Sequence, residues 1–240
     1  MAAVLCRLLT NAGVTATALS LDDFYLPRAA RLELAGRVHP LLATRGVPGT
    51  HELPLALQVH AALRKPGTIA LPAFDKARDD RRPREQWPAV RGPMQVILLE
   101  GWCVGATAQT PDELVTAVNA LEAEEDAQGI WRRYVNDALD GAYRPWFGQI
   151  DFLILLQAPG LDVVYRWRLQ QEHRLRDRLR SQGGDPRRVM DDRGMSDQDI
   201  ARFISHYERL TRHILAEMPG RADVLLELDE QRRPQQAAGS

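Results

Sequence analysis

Apolar and polar positions along this chain fall into two alternating kinds of segment. Four runs are continuously apolar or rich in β-branched residues: VTATALSL (14–21), QVILLEG (95–101), DFLILLQAP (151–159) and ADVLLEL (222–228). Two hold unbroken apolar stretches, Val96-Ile97-Leu98-Leu99 and Phe152-Leu153-Ile154-Leu155-Leu156, which predict strands buried on both faces of a parallel sheet. Elsewhere the period lengthens to that of a helix. Residues 50–63 predict one, residues 111–143 one or two more, and residues 162–184 another that is strongly basic. Residues 196–219 predict a helix capped by Ser196 with Asp199 three positions on, burying Ile200, Phe203, Ile204, Tyr207 and Ile214 and stopping at Pro219. Strand and helix alternate, so the chain reads as α/β with a mostly parallel sheet.

The first helix has an end but no beginning. Val4, Leu5, Leu8 and Leu9 share one helical face and Gly13 supplies a stop, yet no Ser, Thr, Asp or Asn precedes it. A fragment of something longer is one reading, and a frayed helix at an initiator methionine is the other. The same residues do not make a signal peptide, because a basic opening is lacking and Arg7 and Asn11 interrupt the apolar stretch. No linker and no internal repeat divides the chain. One domain over residues 1–229 is expected, with 230–240 as a disordered polar tail.

Composition narrows the classes. The 31 basic and 32 acidic residues leave a formal net charge of −1, which gives no general attraction to nucleic acid or membrane. The only cysteines, Cys6 and Cys103, have no metal-ligand spacing, which suits a reducing, cytoplasmic setting. Oligomeric state is left open.

The chemistry concentrates where strands run out. In open α/β sheets, ligands bind beyond the carboxyl ends of the strands. Here one strand ends in Asp22-Asp23 and another in Glu100, followed by Gly101. Three carboxylates at one edge are costly to bury unless a cation or a titrating substrate lies among them. Helix capping is the ordinary alternative for any one of them. Two loops carry mixed charge: residues 39–52, with Arg45, Gly46, Gly49 and His51, and residues 71–83, with Lys76, Arg78, Arg81 and Arg82 against Asp75, Asp79 and Asp80. Eight arginines lie between Arg166 and Arg188, beside an apolar stripe of Val164, Trp167, Leu175 and Leu179. Arginine clamps phosphate with paired donors and keeps its charge. A solvated helix face, or an RNA patch, would use the same residues. Phosphoryl transfer would employ every part: a carboxylate base, a metal held by acids, and cations around the transferred group.

The stretches LSLDDFYLPRAARLELAGRVHPLLATRGVPGTHE, LPAFDKARDDR, VILLEGWCVGA, WRRYVNDAL, WRLQQEHRLR and GMSDQDIARFISHYERLTRHI resemble the D-glycerate 3-kinase family of plants and fungi and related bacterial kinases. The resemblance covers nearly all of residues 14–230. It implies a P-loop NTPase-like three-layer sandwich, related to uridine kinase, phosphoribulokinase and pantothenate kinase. It implies Asp22 as catalytic base with Asp23 in support, and Glu100 with Asp23 on Mg²⁺. It places Arg45, His51 and Lys76 at the acceptor, and Arg166, Arg168 and Arg174 in a lid over the ATP phosphates. These kinases carry G-x-x-x-x-G-K-[ST], which occurs nowhere in the 240 residues. The chain is therefore expected to lack the fold's first strand and Walker A loop, with Met1 an internal start and weak activity at this extent. The leading expectation is phosphorylation of a small hydroxylated metabolite, D-glycerate first, with a nucleoside or pantothenate as other acceptors. A non-catalytic remnant that binds a metabolite or a protein stands as the alternative.

Overall fold

The structure, a computed structural model, describes residues 1–181 and 196–235. In chain order, α1 (Ala2–Asn11) and β1 (Ala16–Ser20) are followed by α2 (Arg28–Arg37) and α3 (Leu53–Leu63). Five strands come next: β2 (Gly67–Ala70), β3 (Phe74–Asp75), β4 (Asp80–Arg81), β5 (Ala89–Gly92) and β6 (Val96–Glu100). Then come α4 (Ala120–Glu125), α5 (Ile130–Ala138), a π-helical turn over Leu139–Tyr143 and α6 (Arg144–Phe147). The chain closes with β7 (Ile154–Gln157), α7 (Leu161–Ser181), α8 (Asp197–Glu217) and β8 (Val224–Glu227). All four apolar runs contain their strand, and α1, α3, α4, α5, α7 and α8 fall in the stretches of longer period, whereas α2 and α6 form where no helix was expected.

Two compact units emerge: Met1–Ala108 with Ile130–Gln149, and Gln109–Gly129 with Ile150–Ser240. The sequence shows no linker because each unit is assembled from two separate segments of chain.

In the first unit β1 and β6 run parallel, in register from Ala16↔Val96 to Ser20↔Glu100, and α1 packs against both. Their carboxyl ends therefore finish side by side. Beyond β1 the chain tightens into a 3-10 turn, Leu21–Phe24, whose Leu21 and Phe24 are 0% and 1% exposed. Burying two such side chains contributes about 1.5–3 kcal/mol each and fixes the direction of the acids between them. Gly101 allows the close approach, since a Cβ there would lie 2.6 Å from Leu21 Cβ. Two antiparallel pairs, β2–β5 and β3–β4, are additions that the short segments GTIA, FD and AVRG do not announce.

In the second unit β7 and β8 pair in parallel from Ile154↔Val224 to Gln157↔Glu227, and α7, α4 and α8 make helix contacts. The start of α8 is as expected. Ser196 Oγ accepts from Asp199 N at 3.1 Å and Asp199 Oδ2 accepts from Ser196 N at 3.0 Å. Ile200, Ile204 and Ile214 are buried, but Phe203 and Tyr207 are only half-buried. His206, Arg209 and Leu210 are buried there too. Arg209 is held by Glu122, with Nε to Oε1 at 2.8 Å and Nη2 to Oε2 at 2.6 Å.

Burial of the parallel strands is lower than their composition suggests. Residues Val96–Leu99 are half-buried, and Ile154 and Leu156 keep 37% and 41% exposure around a buried Leu155. A two-stranded pair offers less cover than the centre of a wide sheet. The end of the chain is also more ordered than its polarity implies through residue 235. Leu228 pairs with Pro234, Gln235 N donates to Glu227 O at 2.7 Å, and Trp167 Nε1 donates to Glu230 O at 2.7 Å. Residues 236–240 of the expected tail, and Arg187 and Arg188 of the basic segment, lie outside the described residues. Among the described residues, no helix is long and apolar enough to cross a membrane.

Candidate active site

The first unit gathers six of the sequence-selected residues around the joined ends of β1 and β6. Asp22 sits in the 3-10 turn with both carboxylate oxygens engaged. Oδ1 accepts from Tyr25 Oη at 2.6 Å and Oδ2 from Lys76 Nζ at 2.6 Å. Tyr25 is three residues ahead, which one 3-10 turn brings alongside. Burial alone would push Asp22 up, but the hydrogen bonds from Lys76 and Tyr25 outweigh it and hold the carboxyl below its ordinary range. Asp23 goes the other way. Burial raises it, the backbone N–H of Phe74 at 3.0 Å partly offsets that, and the charges of Asp22 and Glu100 raise it again. Adjacent residues thus have opposite shifts, which separates a stably ionised carboxylate from one that welcomes a cation.

Lys76 comes from the β3–β4 hairpin and is 61% exposed at its side chain. The hairpin turns through Asp79, whose φ of 54° lies in the left-handed region that aspartate tolerates. Asp79 is a clamp. Arg45 pairs with its Oδ1, and Arg31 reaches its Oδ2 and its carbonyl oxygen, each at 2.8 Å. Arg31 is 1% exposed and also donates to the carbonyls of Leu26 and Ala43, at 3.2 Å each. Arg31 and Arg45 lie 6.0 and 5.7 Å from the Phe74 ring centroid. A second clamp joins Arg81 to Glu52 and to the carbonyl of Tyr25.

Residues 39–52 are wound around Thr50, whose hydroxyl accepts from Gly46 N at 3.0 Å and donates to Val47 O at 2.7 Å. Trp102, just past β6, donates Nε1 to Gly46 O at 2.9 Å. His51 then lies 4.7 Å from the Tyr25 ring, stacked, with Nδ1 2.6 Å from Tyr143 Oη. Burial lowers its pKa to about 3, with the nearby Asp22 charge opposing the shift, so the imidazole is neutral. Cys103 is buried beside this group and its thiol is pushed up by burial, which leaves it unreactive.

Among the described residues no cluster of three or more His, Cys, Asp or Glu is gathered as a metal cage. The Asp23 and Glu100 pair is of the kind Mg²⁺ accepts, since that ion keeps its waters and uses one or two carboxylates alongside substrate phosphates. The repulsion that raises Asp23 is the repulsion a cation would relieve.

No family model matches the chain. It is 33% identical over 219 residues to the uncharacterized kinase mug58 of Schizosaccharomyces pombe, covering 86% of this chain and 73% of that protein. The chain belongs to the same family of kinases as that protein. It is 33% identical over 235 residues to the chloroplastic D-glycerate 3-kinase of Arabidopsis thaliana, covering 90% of this chain and 46% of that one, so it spans under half of that relative's length. A solved D-glycerate 3-kinase from Cryptococcus neoformans superimposes with a TM-score of 0.72 at 26% identity, over 96% of this chain and 81% of the other. The fold is that of this solved kinase, and by family the chain is a kinase.

Against that family, Asp22, Asp23, Glu100, Lys76, His51 and Arg45 share the first unit. Arg45 differs from its expected part in one respect: its guanidinium is engaged with Asp79. Arg166, Arg168 and Arg174 belong to the second unit, on α7. Arg166 pairs with Asp162 and Glu230 at 3.2 Å each, Arg168 lies 5.7 Å from the Phe203 ring centroid, and Arg174 is exposed. Sequence reasoning assigned no site role to Tyr25, Arg31, Asp79, Trp102 or Tyr143. Tyr25 was legible from its spacing to Asp22, whereas the other four act through contacts distant in sequence.

Proposed function

We propose that this protein transfers a phosphoryl group from ATP to a small hydroxylated metabolite, with D-glycerate, giving 3-phosphoglycerate, as the acceptor best supported. The observation that carries the reading is Asp22, ionised and held between Lys76 and Tyr25 at the strand end opposite Glu100. Family membership and the D-glycerate 3-kinases of Arabidopsis and Cryptococcus support the acceptor.

In this mechanism Asp22 accepts the hydrogen bond and then the proton of the attacking hydroxyl. That oxygen bonds to the γ-phosphorus as the bond to ADP breaks. Lys76 holds the Asp22 carboxylate in place and offers a cation to an anionic acceptor. His51, buried and neutral, adds a polar contact without adding charge. Asp23 and Glu100 would hold Mg²⁺, which supplies charge neutralisation at the phosphates. Arg166, Arg168 and Arg174 provide guanidinium donors of the type that binds phosphate oxygens.

ADP release, measured with D-glycerate, uridine and pantothenate, tests both the activity and the acceptor. The highest kcat/KM is expected with D-glycerate, and Asp22→Asn is expected to lower kcat by about 10²–10⁴-fold. A higher kcat/KM with another acceptor would reassign the substrate. Full activity in Asp22→Asn would remove the base.

A further inference from the structure

We infer that Tyr143 is a positioning residue that sets the proton of His51 on Nε2 and so makes that buried imidazole a hydrogen-bond donor for the acceptor substrate. This rests on the acceptor-site reading of His51 above.

The tautomer follows from counting protons. Tyr143 Oη accepts from the backbone N–H of Gly49 at 3.0 Å. The phenol O–H is buried as well, and if His51 Nδ1 donated to the phenol oxygen, that O–H would be left with no acceptor among the described residues, so it must itself donate. The partner in range is His51 Nδ1, at 2.6 Å. A ring nitrogen that accepts carries no proton, so the neutral imidazole holds its proton on Nε2. Tyr143 is 1% exposed and burial raises its pKa, so the phenol keeps the proton it gives.

The assignment leaves an uncompensated group. His51 is 5% exposed, and its Nε2 is buried without a hydrogen-bond partner among the described residues. A buried unpaired donor costs about 1–3 kcal/mol, and such orphans in native proteins call for an explanation. The surroundings supply one. His51 is close enough to Asp22 for each to shift the other electrostatically, and Tyr25 touches both, stacking on the ring while donating to the carboxylate. A neutral donor beside an ionised base suits an oxygen of the hydroxylated acceptor, and it discriminates against an acceptor with an apolar group there.

The backbone around Tyr143 is itself unusual. Tyr143 ends the π-helical turn Leu139–Tyr143, a conformation that is rare and concentrated at functional sites. Gly49, whose N–H donates to the phenol oxygen, has a φ of 92°. Both departures from regular backbone converge on one phenol oxygen.

Nitrogen-15 NMR of the imidazole rings in the full chain, wild type and Tyr143→Phe, tests the inference. Wild-type His51 is expected to show a protonated Nε2 and an accepting Nδ1, and Tyr143→Phe a mixture of tautomers. D-glycerate is expected to shift the Nε2 resonance in the wild type. In turnover, Tyr143→Phe is expected to raise the KM for D-glycerate about 3–10-fold, with the KM for ATP unchanged. Thermal unfolding of Tyr143→Phe, with Tyr134→Phe as control, separates this from a general loss of structure. A proton on Nδ1 in the wild type, or the same tautomer in Tyr143→Phe, overturns the inference. So does an Nε2 resonance unmoved by an acceptor that the protein phosphorylates. The assigned tautomer with no turnover of any acceptor supports Tyr143's role and instead overturns the kinase function proposed above.

Discussion

Replacing Arg31 by methionine keeps much of the side chain's volume and removes its guanidinium. In the native structure that group is 1% exposed and donates to three backbone carbonyls, of Leu26, Ala43 and Asp79, and to the Asp79 carboxylate. Asp79 is 33% exposed at its side chain and retains Arg45, so losing that ion pair strands no isolated charge and adds little. The carbonyls are the larger cost. Two or three acceptors deprived of a buried donor cost about 1–3 kcal/mol each. Not having to bury a charge returns part of that sum. A net loss of about 2–4 kcal/mol follows, equivalent to a melting-temperature drop of about 5–15 °C for a chain of this size. Thermal and urea unfolding measure it, provided the transition is reversible. The same variant loosens the link between residues 39–52 and the hairpin that carries Lys76, so the KM for the acceptor should rise more than the KM for ATP. A melting temperature within about 2 °C of wild type would refute the reasoning, since it would mean that the carbonyls find other donors at no cost.

Other outcomes are equally open to measurement. Gly49→Ala should destabilise the protein by about 1–3 kcal/mol, because φ is 92° and the new Cβ would lie 2.5 Å from Tyr134 Cε1; a neutral result in urea unfolding would contradict the close approach. His51 is neutral in the fold with a pKa lowered by burial to about 3, so below the unfolded value of 6.5 the unfolded chain takes up a proton that the folded one refuses. Its contribution is complete above pH 6.5 and is lost as pH falls toward 3, by about 1.4 kcal/mol per unit; unfolding curves of wild type and His51→Gln that stay parallel between pH 6.5 and 4.5 would argue against it. Glu122→Gln leaves Arg209, 8% exposed at its side chain, without its buried counter-charge, and should cost about 3–5 kcal/mol by thermal unfolding.

Much of this architecture was legible because it is local. The apolar runs containing β1, β6, β7 and β8, the Ser196–Asp199 capping box and the acids closing β1 and β6 are all properties of short windows, and the resemblance to the family added their roles. What a window cannot hold is the identity of a distant partner. Residues 39–52 and 71–83 read from sequence as loops of mixed charge. In the structure much of that charge is matched internally: Arg45 and Arg31 with Asp79, Arg81 with Glu52, and Lys76 with Asp22. Alternating signs along a loop look the same whether they face solvent or one another, and only the hairpin at Asp79 decides. Tyr143 is a sharper case. Nothing in YVNDALDGAY marks one tyrosine as the partner of a histidine 92 residues away, yet its single proton determines which nitrogen of His51 carries hydrogen. The acids mark the edge where we propose that chemistry occurs, whereas the proposed choice of acceptor rests on neutral groups whose meaning arises only when the chain has closed around them.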